Sequence, residues 1–177
     1  MQWYHLNYLI HFSLRRVKPY LEHRPVDLAF LLTLADVMGE RLRELAPSLD
    51  WGICHGDATE RNAHITPEGL VTFFDFDCGG LGWRAYDLAT FRMNARKREQ
   101  GTLIWTAYLG GYTDTRPLHA SDLEAEPLLF VARIFWSLGI FPATASDDLA
   151  KPLDDPFTDR QLRFLRPWAA QQFPVHF

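Results

Sequence analysis

Cysteine is scarce: Cys54 and Cys78 are the only two in 177 residues, and they form no C-x-x-C pair. A small disulfide-stapled secreted domain is therefore not expected; reduced, mostly buried thiols of a cytosolic protein are. The two flank the polar segments described below, so a bond between them is geometrically open, but nothing in the sequence calls for it. Excess basic charge is also missing. The formal net charge is −4, which supplies no electrostatic footprint for nucleic acid or for an anionic membrane surface. No long hydrophobic run exists: the most apolar stretch, Leu128 to Phe141, is interrupted by Arg133 and is too short to span a bilayer. The N-terminus carries no signal-peptide pattern. A soluble, cytoplasmic protein is expected, with no membrane and no nucleic-acid partner.

What is present is enough apolar material for a core. Hydrophobic residues make up 47% and aromatics 14% of the chain, which argues against disorder, and the length suits one domain. Leu6, Leu9, Ile10, Leu14 and Val17 recur at helical spacing up to Pro19. A second helix is expected from Asp27 to Leu45, with Phe30, Leu34, Val37, Met38, Leu42 and Leu45 as its apolar stripe. Trp51 to Cys54 reads as a short apolar lead-in. Ala63–Thr66 and Leu70–Phe74 read as two strands joined by the turn Pro67-Glu68-Gly69. Gly79, Gly80 and Gly82 allow a sharp exit before a helix from Arg84 to Arg98.

Further helices are expected at Thr102–Tyr112, Leu123–Phe141 and Asp159–Gln172. Ser121 with Glu124 fits a capping box, Pro127 would delay the start of its helix, and Pro167 would kink or break the last one. Ala143 to Phe157, rich in Asp and Pro, reads as a loop. The fold class is α+β, mostly α: a helical domain with one small catalytic β-hairpin, presenting the His55 loop at one end and Asp75 at the other.

That loop carries the chemistry. His55-Gly56-Asp57-Ala58-Thr59-Glu60-Arg61-Asn62 places an Asp and an Asn five positions apart, and Phe74-Asp75-Phe76-Asp77 brings a further carboxylate eighteen residues after Asp57. Phosphoryl transfer from ATP uses such a set: one carboxylate to orient or deprotonate the acceptor hydroxyl, and an amide and a carboxylate to hold Mg²⁺. The spacing H-x-D-x-x-x-x-N followed by a D-F-G-like element is that of a kinase catalytic loop, except that Asp77 stands where the Gly would be. Asp57 is thus the expected catalytic residue. Asn62 and Asp75 are the expected metal ligands, with Asp77 as an additional contact. An isolated Asp in a loop more often caps a turn; the joint offsets are what lift Asp57 above that. His55 reads as structural support beneath the loop. Asp87, in the first turn of a helix, either complements the helix dipole or anchors the loop by accepting its hydrogen bonds. A metal-dependent hydrolase built from His55, Asp57, His64 and Asp75 would leave the placement of Asn62 unexplained.

No glycine-rich loop and no strand-borne Lys precede the motif. The chain therefore reads as one lobe, residues 1–177 with its motifs in 51–93, lacking the nucleotide-clamping lobe. The His55–Asn62 and Phe74–Asp77 segments, with Gly82-Trp83-Arg84 and Tyr86-Asp87-Leu88-Ala89, resemble the C-terminal, protein-kinase-like lobe of the aminoglycoside phosphotransferase/choline kinase/homoserine kinase family. The resemblance implies an ATP- and Mg²⁺-dependent kinase acting on a hydroxyl of a small molecule or of a protein. It implies Asp57 as catalytic Asp, Asn62 and Asp75 as Mg²⁺ ligands, and Asp87 as loop anchor. Thr59-Glu60-Arg61 stands where that family often has His-Pro-Gly. The partners implied are a small-molecule acceptor and a missing N-terminal lobe, a split partner or a second copy. The alternative is a truncated or pseudokinase-like interaction lobe without catalysis of its own.

Overall fold

A computed structural model of the protein describes residues 2–4, 7–140 and 155–177. It is mostly helical with small sheets, an α+β architecture. Packing divides the chain into two compact units, residues 1–5 with 45–130, and residues 6–44 with 131–177.

Among the described residues, the regular elements of the second unit are all helical. A π-helical turn at Asn7–Phe12 leads into α1 (Ser13–Val17) and a 3-10 turn at Lys18–Leu21. The apolar spacing there predicts one regular helix closed by Pro19. Instead the backbone changes pitch twice, and Pro19 sits inside the 3-10 turn, where its missing N–H costs least. Helix α2 (Pro25–Leu45) follows the predicted stripe, with Leu34, Met38 and Leu42 fully buried, and Leu31, outside that stripe, is fully buried too; Pro25 opens the helix at a position where no intrahelical donor is required. Helix α6 (Asp155–Gln172) starts earlier than its periodicity suggests, and Pro167 does not break it. That residue lies on the exposed side, so the carbonyl it deprives of a partner can turn to water. Arg24 ties α2 to α6 through Asp27, Asp155 and Asp159. The predicted 143–157 loop falls mostly outside the described residues; its last three positions are helical.

The first unit holds the sheets. β1 (Gln2–Tyr4), β5 (Gly80–Trp83) and β2 (Trp51–Cys54) form a three-stranded sheet in the order β1-β5-β2. β5 pairs parallel with β1 and antiparallel with β2, Gly52 facing Gly82. The glycine run expected to be a loop exit is thus the central strand. Glycine has low strand propensity, but here its lack of a side chain is used. A Cβ on Gly52 would stand 1.7 Å from the Arg84 guanidinium, which lies across the strand to reach the Trp51 carbonyl at 2.8 Å.

β3 (Ala63–Ile65) and β4 (Val71–Phe73) form the predicted hairpin in the register Ala63↔Phe73. Its turn needs Gly69, whose φ is +85°. Helices α3 (Ala85–Ala95) and α4 (Gly101–Thr115) follow, and α5 (Ala120–Ile140) runs from this unit into the other. α5 begins at Ala120 despite Pro127, and Ser121 is not its cap. The Ser121 hydroxyl donates to the Ser48 carbonyl at 2.8 Å, while the Asp122 carboxylate accepts from the backbone N–H groups of His119 at 3.3 Å and Asp50 at 3.1 Å.

Candidate active site

β2 delivers the chain into the 55–62 loop, and the N-terminal turn of α3 holds that loop from below. The Asp87 carboxylate accepts from the backbone N–H of His55 at 2.7 Å and of Gly56 at 2.8 Å. Gly56 occupies a left-handed conformation, φ +80°. Within the loop the Asn62 side-chain amide donates to the Asp57 carbonyl at 3.0 Å and to the Asp57 carboxylate at 2.9 Å. Asp57 and Asn62 are thus in direct contact. Asn62 is buried, at 8% exposure, and Asp57 is half-buried.

His55 lies beneath. Its Nδ1 accepts from the Asp57 backbone N–H at 3.3 Å, which leaves the ring proton on Nε2 to donate to the Phe74 carbonyl at 3.0 Å. The Phe74 N–H in turn donates to the Asn62 carbonyl at 3.0 Å. The residue before Asp75 is therefore bonded to both ends of the loop. The antiparallel hairpin accounts for this: pairing Ala63 with Phe73 brings Asn62 and Asp75 to the same open end, rather than to opposite ends as the sequence reading has it.

Asp75 has φ 63° and ψ 61°, the one non-glycine residue with positive φ among the described residues. Asp tolerates that region better than most residues, yet such conformations cost of order 1 kcal/mol and collect at functional sites. Asp75 and Asp77 are both exposed. Phe76 between them is exposed as well, one side of its ring lying against His55 with the ring centres 4.4 Å apart.

The hydrolase alternative loses its ligands here. Both His55 ring nitrogens are engaged within the loop, and His64 is an exposed strand residue paired with Thr72. Among the described residues no three His, Cys, Asp or Glu side chains gather as a ready metal cluster. Both cysteines are free thiols. Burial pushes the Cys54 thiol far up, so it is inert.

The sequence reading missed a cluster at the edge of the unit. Asp50 accepts from Arg84 at 2.6 Å and from Arg116 at 2.6 Å and 3.0 Å. The Arg116 hydrogen bond, aided by the charge of Arg84, holds the Asp50 carboxyl below the usual carboxylate range. A group depressed in the folded state adds stability above its unfolded pKa of about 3.9 and loses that contribution as pH falls through the folded value. Asp50→Asn should therefore lower Tm at pH 7, with the gap to wild type closing below pH ~4. Thermal unfolding followed by circular dichroism across pH 3–7 checks it; a gap of constant size would contradict it.

A cavity of about 350 Å³ opens beside this cluster, lined by Ile53, His55, Phe73, Phe76, Tyr108 and Tyr112 among others. Tyr108 stacks on Phe91 at 3.6 Å, and burial, reinforced by the charge of Asp87, raises its hydroxyl far above the ordinary phenol value. Of the aromatics on the later helices, Tyr108 and Tyr112 line this cavity and Trp105 lines a separate one. Phe135, Trp136 and Trp168 belong to the other unit.

The phosphotransferase enzyme family model matches residues 4–121, a span that includes the whole 55–62 loop, the hairpin and Asp87. The chain belongs to that family. It is 41% identical over 167 residues to an uncharacterized protein of Deinococcus radiodurans, covering 92% of this chain and 49% of that one. It is 32% identical over 140 residues to an uncharacterized protein of Synechocystis sp., covering 78% of this chain and 39% of that one. This phosphotransferase-family chain thus spans about half the length, or less, of the curated relatives it matches. No helix among its described residues is long and apolar enough to cross a membrane.

Proposed function

We propose that residues 1–177 act as the C-terminal, kinase-like lobe of an ATP- and Mg²⁺-dependent phosphotransferase whose acceptor is a hydroxyl. The observation that carries this reading is the wiring of the loop. Asn62 is bonded to Asp57, and Phe74, next to Asp75, is bonded to both His55 and Asn62. Family membership supports phosphoryl transfer as the reaction class.

The residues suit a small hard cation. With its Nδ2 spent on Asp57, the Asn62 amide is oriented so that its oxygen remains as a donor, and Asp75 and Asp77 add carboxylate oxygens. Mg²⁺ takes oxygen ligands and is commonly held by one or two carboxylates plus phosphates and water, so the lack of a larger acidic cluster fits. When bound, the metal would offset the charge on the transferring phosphoryl group.

Asp57 does the work on the acceptor. Its carboxylate, fixed by Asn62, orients the hydroxyl and takes its proton. The acceptor oxygen bonds to the γ-phosphorus while the bond from that phosphorus to the β–γ bridging oxygen breaks, and ADP leaves. Positioning is the larger share of such catalysis. Asp87 and His55 act by holding the loop's shape.

A nucleotide-clamping lobe is expected to come from a further part of the protein or from a partner, in a cytoplasmic setting where ATP is available. Ile53 is 73% exposed, and Phe74 and Phe76 are exposed too; a covering surface would remove this apolar area from water. The same exposure favours the second reading, an interaction lobe without catalysis.

Transfer of labelled γ-phosphate decides between the two readings, measured on the protein with its clamping lobe across amino alcohols, hydroxy acids and aminoglycosides. Asp75→Ala should abolish Mg²⁺-dependent turnover while the fold persists. Turnover absent from wild type would leave the interaction reading; turnover unchanged by the substitution would remove Asp75 from the metal site.

A further inference from the structure

The chain's charge is unevenly spread. Against a formal net charge of −4, the stretch from Arg92 to Thr102 carries four cations (Arg92, Arg96, Lys97 and Arg98) and one acid, Glu99. Three of those arginines, with Glu99, Thr102 and Trp105, line a cavity of about 320 Å³ where α3 turns into α4. We propose that this cavity binds the anionic group of the phosphoryl acceptor, so that the acceptor is a hydroxyl-bearing carboxylate or phosphate ester rather than a cationic amino alcohol or aminoglycoside. The proposal rests on the phosphotransfer reading above and specifies its substrate class.

Each guanidinium is held in place before any ligand arrives. Arg92 is paired with the buried carboxylate of Glu126 and lies over the Trp105 ring at 5.5 Å. Arg98 donates through Nε at 3.2 Å and one terminal nitrogen at 2.5 Å to a single oxygen of Glu60. Arg96 lies over the Phe130 ring at 4.7 Å, and desolvation lowers its basicity; an anion entering the cavity would offset that cost. An arginine has five N–H donors in a planar fork, and the bonds to Glu126 and Glu60 use one on Arg92 and two on Arg98. The remaining donors of Arg92 and Arg98 suit the oxygens of a carboxylate or phosphate. The α4 N-terminus, beginning at Gly101, contributes partial positive charge at the same rim.

The location ties the cavity to the reaction. Glu60, the partner of Arg98, is three residues from Asp57 on the same loop. A second cavity, of about 430 Å³, shares Arg98 and Glu99 with the first and is bordered by Glu60. An acceptor with its hydroxyl at Asp57 would reach the arginines by way of Glu60, which borders the second cavity. Cationic acceptors would meet three guanidiniums there.

The test has a binding arm and a transfer arm, each on wild type, Arg96→Gln and Arg98→Gln. Arg92 is left intact because its loss would strand the buried Glu126 charge. In the first arm, inorganic phosphate and L-malate are titrated into the ¹⁵N-labelled chain at matched ionic strength, with choline chloride as the cationic control. The expected result is saturable shifts of the Gly101 and Thr102 amides and the Trp105 indole, weakened about tenfold in each variant, with no response to choline. Shifts that choline reproduces, or that the variants leave unchanged, overturn the proposal. In the second arm, transfer from ATP to hydroxy acids and phosphorylated alcohols should exceed transfer to choline-like amines, with KM for the anionic acceptor raised in the variants. Transfer to amines unaffected by the substitutions overturns the substrate class while leaving the phosphotransfer reading intact. Anion binding without transfer to any acceptor overturns the phosphotransfer reading, and with it the cavity's role as an acceptor site.

Discussion

Asp57→Asn should lower kcat for phosphoryl transfer by about 10²–10⁴-fold, the usual size of a general-base contribution, with little change in Mg²⁺-ATP affinity. The direction follows from where Asp57 sits. Its carboxylate is held at 2.9 Å by the Asn62 amide and its backbone N–H by His55, so the replacement keeps the shape and some hydrogen bonding but loses the basic oxygen. Nucleotide affinity should come instead from Asn62, Asp75 and the clamping lobe. Steady-state kinetics on the protein with that lobe present, with circular dichroism to show retained folding, check the claim. A variant within threefold of wild-type kcat would remove Asp57 from the chemistry.

Asp87→Ala should be among the most destabilising single substitutions in the chain. It removes the one carboxylate that receives the His55 and Gly56 N–H groups, at 2.7 and 2.8 Å, and both of those residues are buried. Charge-assisted hydrogen bonds of this kind contribute roughly 1.5–3 kcal/mol each, and stranding buried donors adds their desolvation. A loss of about 3–5 kcal/mol is expected, a fall in Tm of roughly 10 °C for a chain of this size. Asp87→Asn, which keeps one acceptor oxygen, should lose less. Equal, small losses for both would mean that the loop is held by other contacts.

Much of the candidate site could be read in the sequence because its chemistry demands fixed residue types at fixed offsets. His55, Asp57, Asn62 and Asp75 stand in that pattern whatever surrounds them. Helix α2 was equally legible, since a long apolar stripe at helical period suits no strand or loop. Strand β5 was not. Gly80 and Gly82 read as punctuation, and only pairing on both sides, with Arg84 lying across Gly52, makes them a strand. Pro127 reads as a delayed start and Pro167 as a kink or break, but a missing N–H is tolerated where the freed carbonyl finds water or another donor. The Asp50 cluster was invisible for a different reason: its partners lie 34 and 66 positions away, and no local pattern announces such a pair. The arginine cavity fell between these cases, its charges legible as a run and their convergence only through the turn from α3 into α4.

The central claim is that the 55–62 loop and the segment after β4 together hold a metal–nucleotide complex. Paramagnetic broadening measures this most directly: ¹H–¹⁵N spectra of the chain with ATP and Mg²⁺, compared with spectra in which Mn²⁺ replaces a small fraction of the Mg²⁺. Weak binding suffices, because fast exchange spreads the relaxation over the whole population. The account predicts selective loss of the Asn62, Asp75, Phe76 and Asp77 amide signals. Full intensity at Asn62 and Asp75 while broadening centres elsewhere would contradict it.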